Sequence, residues 1–284
     1  MSLSTQSHDI SSSSPIGIFD SGIGGLTIVD CIKQQLPNEQ LIYIADNQFA
    51  PYGDKSADFI IQRVNEIADY FIARKVKAIV IACNTATVIA IDQLRQRIEI
   101  PVIGVEPAIK PAVLTTAKQK VAILATQATA NNERFLSLVK KHSANTDVFI
   151  QPCPGLVEVI EQGDIHSDET RLLLNKFILP LIDKGIDKLV LGCTHYPMLN
   201  KQIKAIVGDK IALIDTAKPV VKQLERKLNE AGLLAKQLSQ PHIWLSSQVM
   251  GNTSLPKGFA NQTKPLANCP LVNEITWQAF KINV

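Results

Sequence analysis

The chain has no apolar run of the roughly 18 to 20 residues that a helix needs to cross a bilayer. It also has no basic cluster interleaved with aromatic residues, and aromatics make up only 5% of its 284 positions. The 29 basic and 26 acidic residues leave a formal net charge of +3, which gives no sign of a nucleic-acid-binding surface. We therefore expect neither a membrane nor a nucleic acid as a partner.

Motifs for metals and nucleotides are missing as well. Neither C-x-x-C nor H-E-x-x-H occurs and the five histidines are scattered, so no zinc site is expected. The string Gly22-Ile23-Gly24-Gly25 does not supply the G-x-G-x-x-G fingerprint of dinucleotide-binding folds. Five cysteines, an odd and modest count, argue against a disulfide framework and for a reducing, cytoplasmic compartment. The sequence therefore predicts free thiols and no cofactor.

What the chain does have is enough apolar content, 46%, for the cores of two domains. Residues 1–14 are polar and serine-rich, and we expect a disordered tail rather than a secretory signal. Beyond Gly232 the pattern weakens, apart from a strand-like run at His242–Ser246 and a helix predicted near Asn273–Lys281. We expect this C-terminal region to pack on the first half of the chain.

Apolar runs alternate with helical patterns along most of the chain. Helical spacing is clearest over Ser56–Ala73 and Asp168–Asp183. The strand-like runs are Ile16–Phe19, Leu41–Ala45, Ala78–Ala82, Val102–Val105, Val121–Ala125, Val148–Gln151, Lys188–Leu191 and Ile211–Ile214. This alternation predicts an α/β fold with doubly wound, mainly parallel sheets.

Two stretches of the sequence repeat one another. One apolar run ends in Cys83-Asn84-Thr85 and the other in Cys193-Thr194-His195. The cysteines lie 110 positions apart, and the Lys-Pro pairs that begin at Lys110 and Lys218 lie 108 apart, so the register holds over most of a domain. We predict two pseudo-symmetric α/β domains with the active site in the cleft between them. Residues 15–107 and 222–284 would form the first, discontinuous domain, and residues 108–221 the second.

Cys83 and Cys193 each follow a predicted buried strand, at the sheet edge where α/β folds bind ligands. A helix N-terminus lowers the pKa of a thiol from its usual value of about 8.5, so each setting favours a thiolate. One such cysteine is commonly a small buried hydrophobe, but two in equivalent positions predict a functional pair. Cys31, Cys153 and Cys269 lack this setting, and we expect them to be structural.

The string Asp20–Gly25 ends the first predicted strand and opens a helix. Its glycines would let an anion approach backbone amides at the helix N-terminus. A simpler interpretation is that Asp20 caps the strand end.

Two thiols on opposite faces of one small ligand suit the inversion of a carbon that bears a weakly acidic hydrogen. One thiolate removes the proton while the other thiol delivers a proton to the opposite face. These residues are also compatible with two other classes of protein. A Cys-His amidase would use Cys193 and His195 and leave Cys83 idle, and a two-lobed amino-acid-binding protein would need neither thiol.

Four motifs in this order resemble those of glutamate racemases, within the cofactor-independent aspartate/glutamate racemase superfamily. They are Phe19–Gly25, Pro51-Tyr52-Gly53, Ala82–Ala86 and Leu191–Pro197, and the resemblance covers about Pro15 to Leu224. It implies two α/β domains with the substrate between them and an isomerase that supplies D-glutamate for peptidoglycan, and so for cell wall biogenesis and cell shape. It implies no cofactor and no metal, and it is compatible with a homodimer. Aspartate racemase is the nearest alternative.

The same resemblance implies roles for individual residues. Cys83 and Cys193 would be the acid/base thiols, Asp20 would assist Cys83, and His195 with Glu161 would assist Cys193, with Glu158 as an alternative to Glu161. The implied substrate-binding positions are Asp20, Ser21, Tyr52, Gly53, Asn84, Thr85, Thr194 and His195, and Thr126 and Thr129 are further candidates for the pocket wall.

Overall fold

The computed structural model of the chain describes residues 10–143, 145–247 and 278–279. The strands are β1 (Ile16–Asp20), β2 (Leu41–Ala45), β3 (Ala78–Ile81), β4 (Val102–Gly104), β5 (Lys120–Ala125), β6 (Asp147–Pro152), β7 (Lys188–Leu191), β8 (Ala212–Ile214), β9 (Ile243–Ser246) and β10 (Gln278–Ala279). The α-helices are α1 (Leu26–Gln35), α2 (Ala57–Ala73), α3 (Asn84–Arg97), α4 (Ile109–Thr115), α5 (Gln127–Ala130), α6 (Glu133–Ser143), α7 (Leu156–Glu161), α8 (Asp168–Asp183), α9 (Asn200–Val207) and α10 (Ala217–Glu230). Short 3₁₀ helices cover Asn47–Phe49, Tyr52–Asp54 and Tyr196–Leu199.

The strands form two parallel sheets. The first has the order β10-β9-β2-β1-β3-β4 and the second the order β6-β5-β7-β8, and neighbouring strands run parallel in both. The segment β2-β1-β3-β4 has the same order as β6-β5-β7-β8, so the two halves of the chain repeat one topology. This confirms the predicted α/β fold with doubly wound, parallel sheets.

Successive side chains of a strand point to opposite faces of the sheet, and in the first sheet both faces are buried because helices cover each of them. Ile16 and Ile18 of β1 belong to a buried apolar cluster with residues of α1 and α10. Phe19 belongs to a second cluster on the opposite face, with residues of α2 and α3. The first cluster also includes Leu124 of β5 and Leu191 of β7. The two halves therefore share part of an apolar core.

Most predicted elements match the structure to within one residue. Side-chain caps mark where helices begin: Ser56 accepts a hydrogen bond from the amide of Phe59 at the start of α2, and Ser167 from that of Thr170 at the start of α8. The helix predicted near 273–281 lies mostly outside the described residues, and the two described positions form strand β10 instead. The C-terminal region joins the first sheet as expected, since β9 pairs with β2.

The limits of the predicted domains need adjustment. Helix α10 packs against α1, and its residues Leu224 and Leu228 lie in the shared core. The predicted boundary between residues 221 and 222 falls inside this helix. We therefore propose that the first domain resumes near Thr216. Of the predicted N-terminal tail, residues 1–9 lie outside the described ranges, whereas residues 10–14 are described and the carbonyl of Ser12 accepts a hydrogen bond.

A buried ion pair lies at the amino end of β3. The ammonium group of Lys77 lies 2.5 Å from Oε2 of Glu39 and donates to the carbonyls of Ser12 (2.6 Å) and Leu233 (2.8 Å). Oε1 of Glu39 accepts from the amide of Ala235 at 2.9 Å. Burial lowers the pKa of Lys77 from its usual value, although Glu39 acts to raise it. One ammonium group thus joins the segment before β1 to the segment after α10.

None of the helices in the described ranges combines the length and the apolar character that crossing a bilayer requires.

Candidate active site

The two predicted thiols lie at equivalent points of the two sheets. In the first sheet the chain passes from β1 to β2 on one side and then to β3 on the other, so the carboxyl ends of β1 and β3 flank a topological switch point. Asp20 ends β1, and Cys83 lies two residues after β3. In the second sheet Thr126 follows β5 directly, and Cys193 lies two residues after β7. The topology therefore brings the predicted residues to both switch points.

Cys83 forms the N-cap of α3, where its Sγ accepts a hydrogen bond from the amide of Ala86 at 3.5 Å. The thiol also donates to Oγ of Ser21 at 3.6 Å, and the residue is only 5% exposed. Burial, and then the charge of Asp20, raise the pKa of Cys83 to about 12, although the Ala86 amide and Ser21 act to lower it. At Cys83, burial and a nearby carboxylate therefore outweigh the effect of the helix amide that favours a thiolate.

Asp20 is fully buried and bonds to both halves of the chain. Its Oδ2 accepts from the amides of Gly22 (3.3 Å) and Gly25 (3.0 Å) at the start of α1, and its Oδ1 accepts from the hydroxyl of Thr194 (3.4 Å). Burial raises the pKa of Asp20 above its usual value, against the opposing effect of His195 and the two amides. Asp20 therefore caps its own turn, as the simpler interpretation has it, and also contacts the second half.

Cys193 lies in line with a histidine and a glutamate. Its Sγ is 3.7 Å from Nδ1 of His195, and Nε2 of His195 is 2.5 Å from Oε1 of Glu161. Cys193 is 5% exposed and His195 is buried. Burial acts to lower the pKa of His195, but the hydrogen bonds to Cys193 and Glu161 raise it well above its usual value. The ring can therefore carry a proton between a thiol and a carboxylate.

Three threonine hydroxyls join the two halves close to Cys83. Oγ1 of Thr85, in α3, lies 3.0 Å from Oγ1 of Thr126 and 3.4 Å from Oγ1 of Thr129. The Thr126 hydroxyl donates to Thr129 at 3.0 Å and also caps α5. All three threonines are buried. Because each hydroxyl both donates and accepts, this group can bind a carboxylate.

Tyr52 is buried beside the site, with its hydroxyl turned to a residue that the sequence did not single out. The hydroxyl donates to Oδ2 of Asp46 at 2.6 Å, and Arg63 donates to both carboxylate oxygens of Asp46, at 3.0 and 2.7 Å. Because the hydroxyl hydrogen of Tyr52 is already donated to Asp46, Tyr52 can contact a ligand only through its ring or through a lone pair of its oxygen. Gly53 lies in the same 3₁₀ turn, where a Cβ would come 3.6 Å from Cβ of Thr126.

Asn84 presents an unpaired polar atom. Its Nδ2 donates to the carbonyl of Val105 at 3.4 Å, whereas its buried Oδ1 has no hydrogen-bond partner among the described residues. Buried polar atoms are nearly always paired, so an unpaired acceptor beside the thiols is a place for a ligand donor. Ser21 and Thr194 are buried in the same region, on the first and second half respectively.

Sequence reasoning missed three participants: Asp46, Arg63 and the backbone amide of Ile23, which donates to Glu161. Asp46 comes directly after β2, as Asp20 ends β1, and that likeness was an available signal. Arg63 sits in an amphipathic helix, where a charged residue is usually solvated. Ile23 acts through its main chain, so its residue type carries no signal.

Cys31 and Cys153 are the remaining thiols in the described ranges, and Cys153 is close enough to Cys193 for their charges to interact. Cys31 is buried in α1, and the buried thiol of Cys153 donates to the carbonyl of Gln151 at 3.4 Å. Cys269 lies outside the described residues. Throughout the part of the chain that the structure describes, no three His, Cys, Asp or Glu side chains are grouped so as to hold a metal ion.

Comparison with known proteins finds relatives that match most of this chain. The glutamate racemase of Pseudomonas paraeruginosa is 45% identical over 237 residues, which are 83% of this chain and 89% of that protein. A crystal structure of glutamate racemase from Francisella tularensis in complex with D-glutamate has a TM-score of 0.79 and 33% identity, covering 96% of this chain and 99% of that one. The Escherichia coli glutamate racemase, solved with L-glutamate and the activator UDP-MurNAc-ala, has a TM-score of 0.81 and 27% identity, covering 95% of this chain and 100% of that one.

The match to a family extends over strands β1 to β8 and includes both Cys83 and Cys193. Residues 16–224 match the family described as Asp/Glu/Hydantoin racemase. Since that range is well over half of the 284 residues, the chain belongs to the Asp/Glu/hydantoin racemase family.

Proposed function

We propose that this chain is a glutamate racemase that interconverts L- and D-glutamate by proton transfer between two thiols, Cys83 and Cys193. The observation that carries the proposal is the equivalent position of these thiols at the ends of β3 and β7, each with its own acid/base partner. The relatives named glutamate racemase, two of them solved with glutamate bound, support glutamate as the substrate.

In the direction from L- to D-glutamate, the Cys193 thiolate, paired with His195, removes the Cα proton and becomes a neutral thiol. The Cys83 thiol delivers its proton to the opposite face of Cα and becomes a thiolate. A pKa of about 12 keeps Cys83 a neutral thiol at neutral pH, which suits a proton donor. In the reverse direction Cys83 takes the proton, and Asp20 is the carboxylate beside it. Glu161 acts through His195, and is therefore a positioning residue.

Both halves of the chain offer hydrogen-bond partners for the polar groups of the substrate. We assign its ammonium group to the unpaired Oδ1 of Asn84, and a carboxylate to the hydroxyls of Thr85 and Thr126. The other positions that we propose to line the pocket are Asp20, Ser21, Tyr52, Gly53, Thr129, Thr194 and His195.

We further propose that the enzyme works in the cytoplasm without a cofactor or metal, and that its D-glutamate enters peptidoglycan. A homodimer is the proposed assembly, and sedimentation of the purified chain tests it: a single species of the monomer mass of 31.1 kDa would contradict it.

The deciding experiment is an assay of three substrates. L-Glutamate, L-aspartate and L-glutamine are incubated separately, and optical rotation and ammonia release are followed. Loss of rotation with glutamate alone, without ammonia, is the expected result. Loss with aspartate indicates the aspartate racemase alternative, ammonia from glutamine indicates a Cys-His amidase, and unchanged rotation in all three indicates a binding protein.

The two bases need a separate readout. Because the enantiomers have equal free energy, kcat/KM for racemisation is the same in both directions for every variant. Exchange of the Cα hydrogen in deuterated water, measured on a variant in which the opposite cysteine is serine, isolates one base. Cys83→Ser leaves Cys193 to act on L-glutamate, and Cys193→Ser leaves Cys83 to act on D-glutamate.

A further inference from the structure

One oxygen of Glu161 bonds to both halves of the molecule. Oε1 lies 2.5 Å from Nε2 of His195 in the second half and accepts a hydrogen bond from the amide of Ile23, at 2.9 Å, in the first half. Ile23 lies in the turn 20–25, which also carries Asp20, the partner of Cys83. The group that positions His195 is therefore itself held by the opposite domain.

The turn fits Glu161 and His195 so closely that a Cβ at either of two of its positions would require one of these side chains to move. A Cβ at Gly22 would lie 1.9 Å from Oε1 of Glu161, and a Cβ at Gly24 would lie 2.5 Å from Nδ1 of His195. Neither glycine has a positive φ, so backbone freedom is not the reason for them. The sequence alone suggested that these glycines admit a ligand to the backbone; in the structure, side chains of the second half occupy that space.

This contact depends on how the two halves are placed. Both thiols are 5% exposed, so substrate can enter only if the halves separate, and separation removes the Ile23 amide from Glu161. Without the Ile23 amide, the carboxylate of Glu161 can turn away from His195 into water. The side chain of Glu161 is 16% exposed and has other rotamers available.

The geometry points to Gly22 and the Ile23 amide as a closure-dependent positioning element, which holds Glu161 against His195 only when the two halves are together. This inference rests on the proposed function. In this arrangement the first domain, which carries Cys83, completes the Cys193 side of the site. Deprotonation of L-glutamate then begins only after the cleft has closed around the substrate, when water is excluded from the reacting carbon.

The test adds one methyl group at the contact. Gly22→Ala keeps every backbone donor but displaces the carboxylate of Glu161, and displacement of a catalytic support by about 1 Å lowers rates on the order of 100-fold. In the Cys83→Ser background we expect the exchange of L-glutamate to fall by about that factor. In the Cys193→Ser background the exchange of D-glutamate should fall much less, because the Gly22 amide can still donate to Asp20.

Gly25→Ala is the matched comparison, because it makes the same substitution in the same turn. A Cβ at Gly25 would lie 2.7 Å from Cβ of Asp20 and 2.8 Å from the hydroxyl of Tyr43, both in the first half. This variant should lower the exchange of D-glutamate, catalysed by Cys83, more than that of L-glutamate. If Gly22→Ala and Gly25→Ala lower both exchanges equally, the turn has a general packing role and the inference is overturned.

A double variant shows whether Gly22 acts through Glu161. Glu161→Ala removes the side chain that the added methyl would strike, so adding Gly22→Ala to it should cause no further loss of L-glutamate exchange. If Gly22→Ala lowers exchange by its full factor in the Glu161→Ala protein as well, the glycine acts independently of Glu161 and the inference is wrong.

Glu161→Asp provides the test if Gly22→Ala fails to fold. The shorter carboxylate introduces no clash and cannot reach both Ile23 and His195, so it should reproduce the selective loss of L-glutamate exchange. Normal exchange in a folded Glu161→Asp protein overturns the inference. Failure of the proposed function is recognised separately: in that case Cys83→Ser and Cys193→Ser would show no one-sided exchange before any glycine is changed.

Discussion

Arg63 holds Asp46 with two hydrogen bonds in a buried, bidentate ion pair, and Asp46 also accepts a hydrogen bond from the hydroxyl of Tyr52. The guanidinium of Arg63 also lies 4.6 Å from the ring centre of Phe49. The 3₁₀ turn of Tyr52–Asp54, which borders the threonine group, is therefore anchored to α2 through a charge pair.

Removing Arg63 should destabilise the protein strongly. Arg63→Met leaves the buried carboxylate of Asp46 without its counter-charge, and such losses lower the free energy of unfolding by about 3–5 kcal/mol. Arg97→Met is the control, since Arg97 pairs with Asp69 at the surface and such pairs contribute about 1 kcal/mol or less. Urea titration measures both. Equal, small losses would mean that the Asp46 pair does not anchor the turn.

Replacing either thiol should abolish racemisation, but each variant should still exchange the Cα hydrogen of one enantiomer, and the two enantiomers should differ. Serine is a much weaker acid and base at neutral pH, so Cys83→Ser and Cys193→Ser should each lose racemisation in both directions. In deuterated water, Cys193→Ser should still exchange the Cα hydrogen of D-glutamate, and Cys83→Ser that of L-glutamate, as followed by NMR. Near-normal racemisation in one variant, or the same preferred enantiomer in both, would mean that a single base suffices.

The stability of the protein should fall as pH rises above 6.5, in a way that depends on His195. Its pKa is raised well above 6.5 in the folded protein, so between pH 6.5 and that higher value the folded state binds more protons than the unfolded state. The His195 contribution is thus fully present below pH 6.5 and is lost as pH passes through the folded pKa.

His195→Gln removes that contribution, which for one proton has a limiting slope of about 1.4 kcal/mol per pH unit. Urea midpoints from pH 6.5 upward should therefore decline less steeply in this variant than in the unmodified protein. His166→Gln, at an exposed histidine, is the control and should keep the original slope. Parallel slopes for all three proteins would contradict a folded-state proton on His195.

Chelators should leave turnover intact, because the proposed reaction moves only protons between thiols and Cα. Racemisation is measured after dialysis against EDTA and again after addition of zinc or pyridoxal phosphate. Equal rates in all samples are expected. Activity that disappears on dialysis and returns only with an additive would refute the two-thiol mechanism.

The sequence predicts the strands and the thiol positions well for a physical reason. Strands such as Leu41–Ala45 and Lys188–Leu191 are buried on both faces, so they read as short, uninterrupted apolar runs. Residues that follow such runs must lie at the ligand-binding edge of a parallel sheet. Cys83, Cys193 and Asp20 could therefore be placed before the structure was known.

Interactions between distant segments are what the sequence could not supply. Nothing near Gly22 indicates that Glu161, 139 positions later, fills the space above it. The pKa of Cys83 depends on burial and on the charge of Asp20, and both arise only when β1 and β3 pair. Strand β10 has only two residues, which is too short for a periodicity to be detected in the sequence. Its extended conformation is set by pairing with β9.

The ammonium group of Lys77 has a consequence for the order in which the protein assembles during synthesis. It binds the carbonyls of Ser12 and Leu233, which emerge from the ribosome more than two hundred residues apart, and β9 and β10 join the first sheet later still. The segment that carries the second sheet is contiguous, so it can finish its core while the first sheet still lacks an outer strand. We expect the second half to mature first, although the ribosome begins it second.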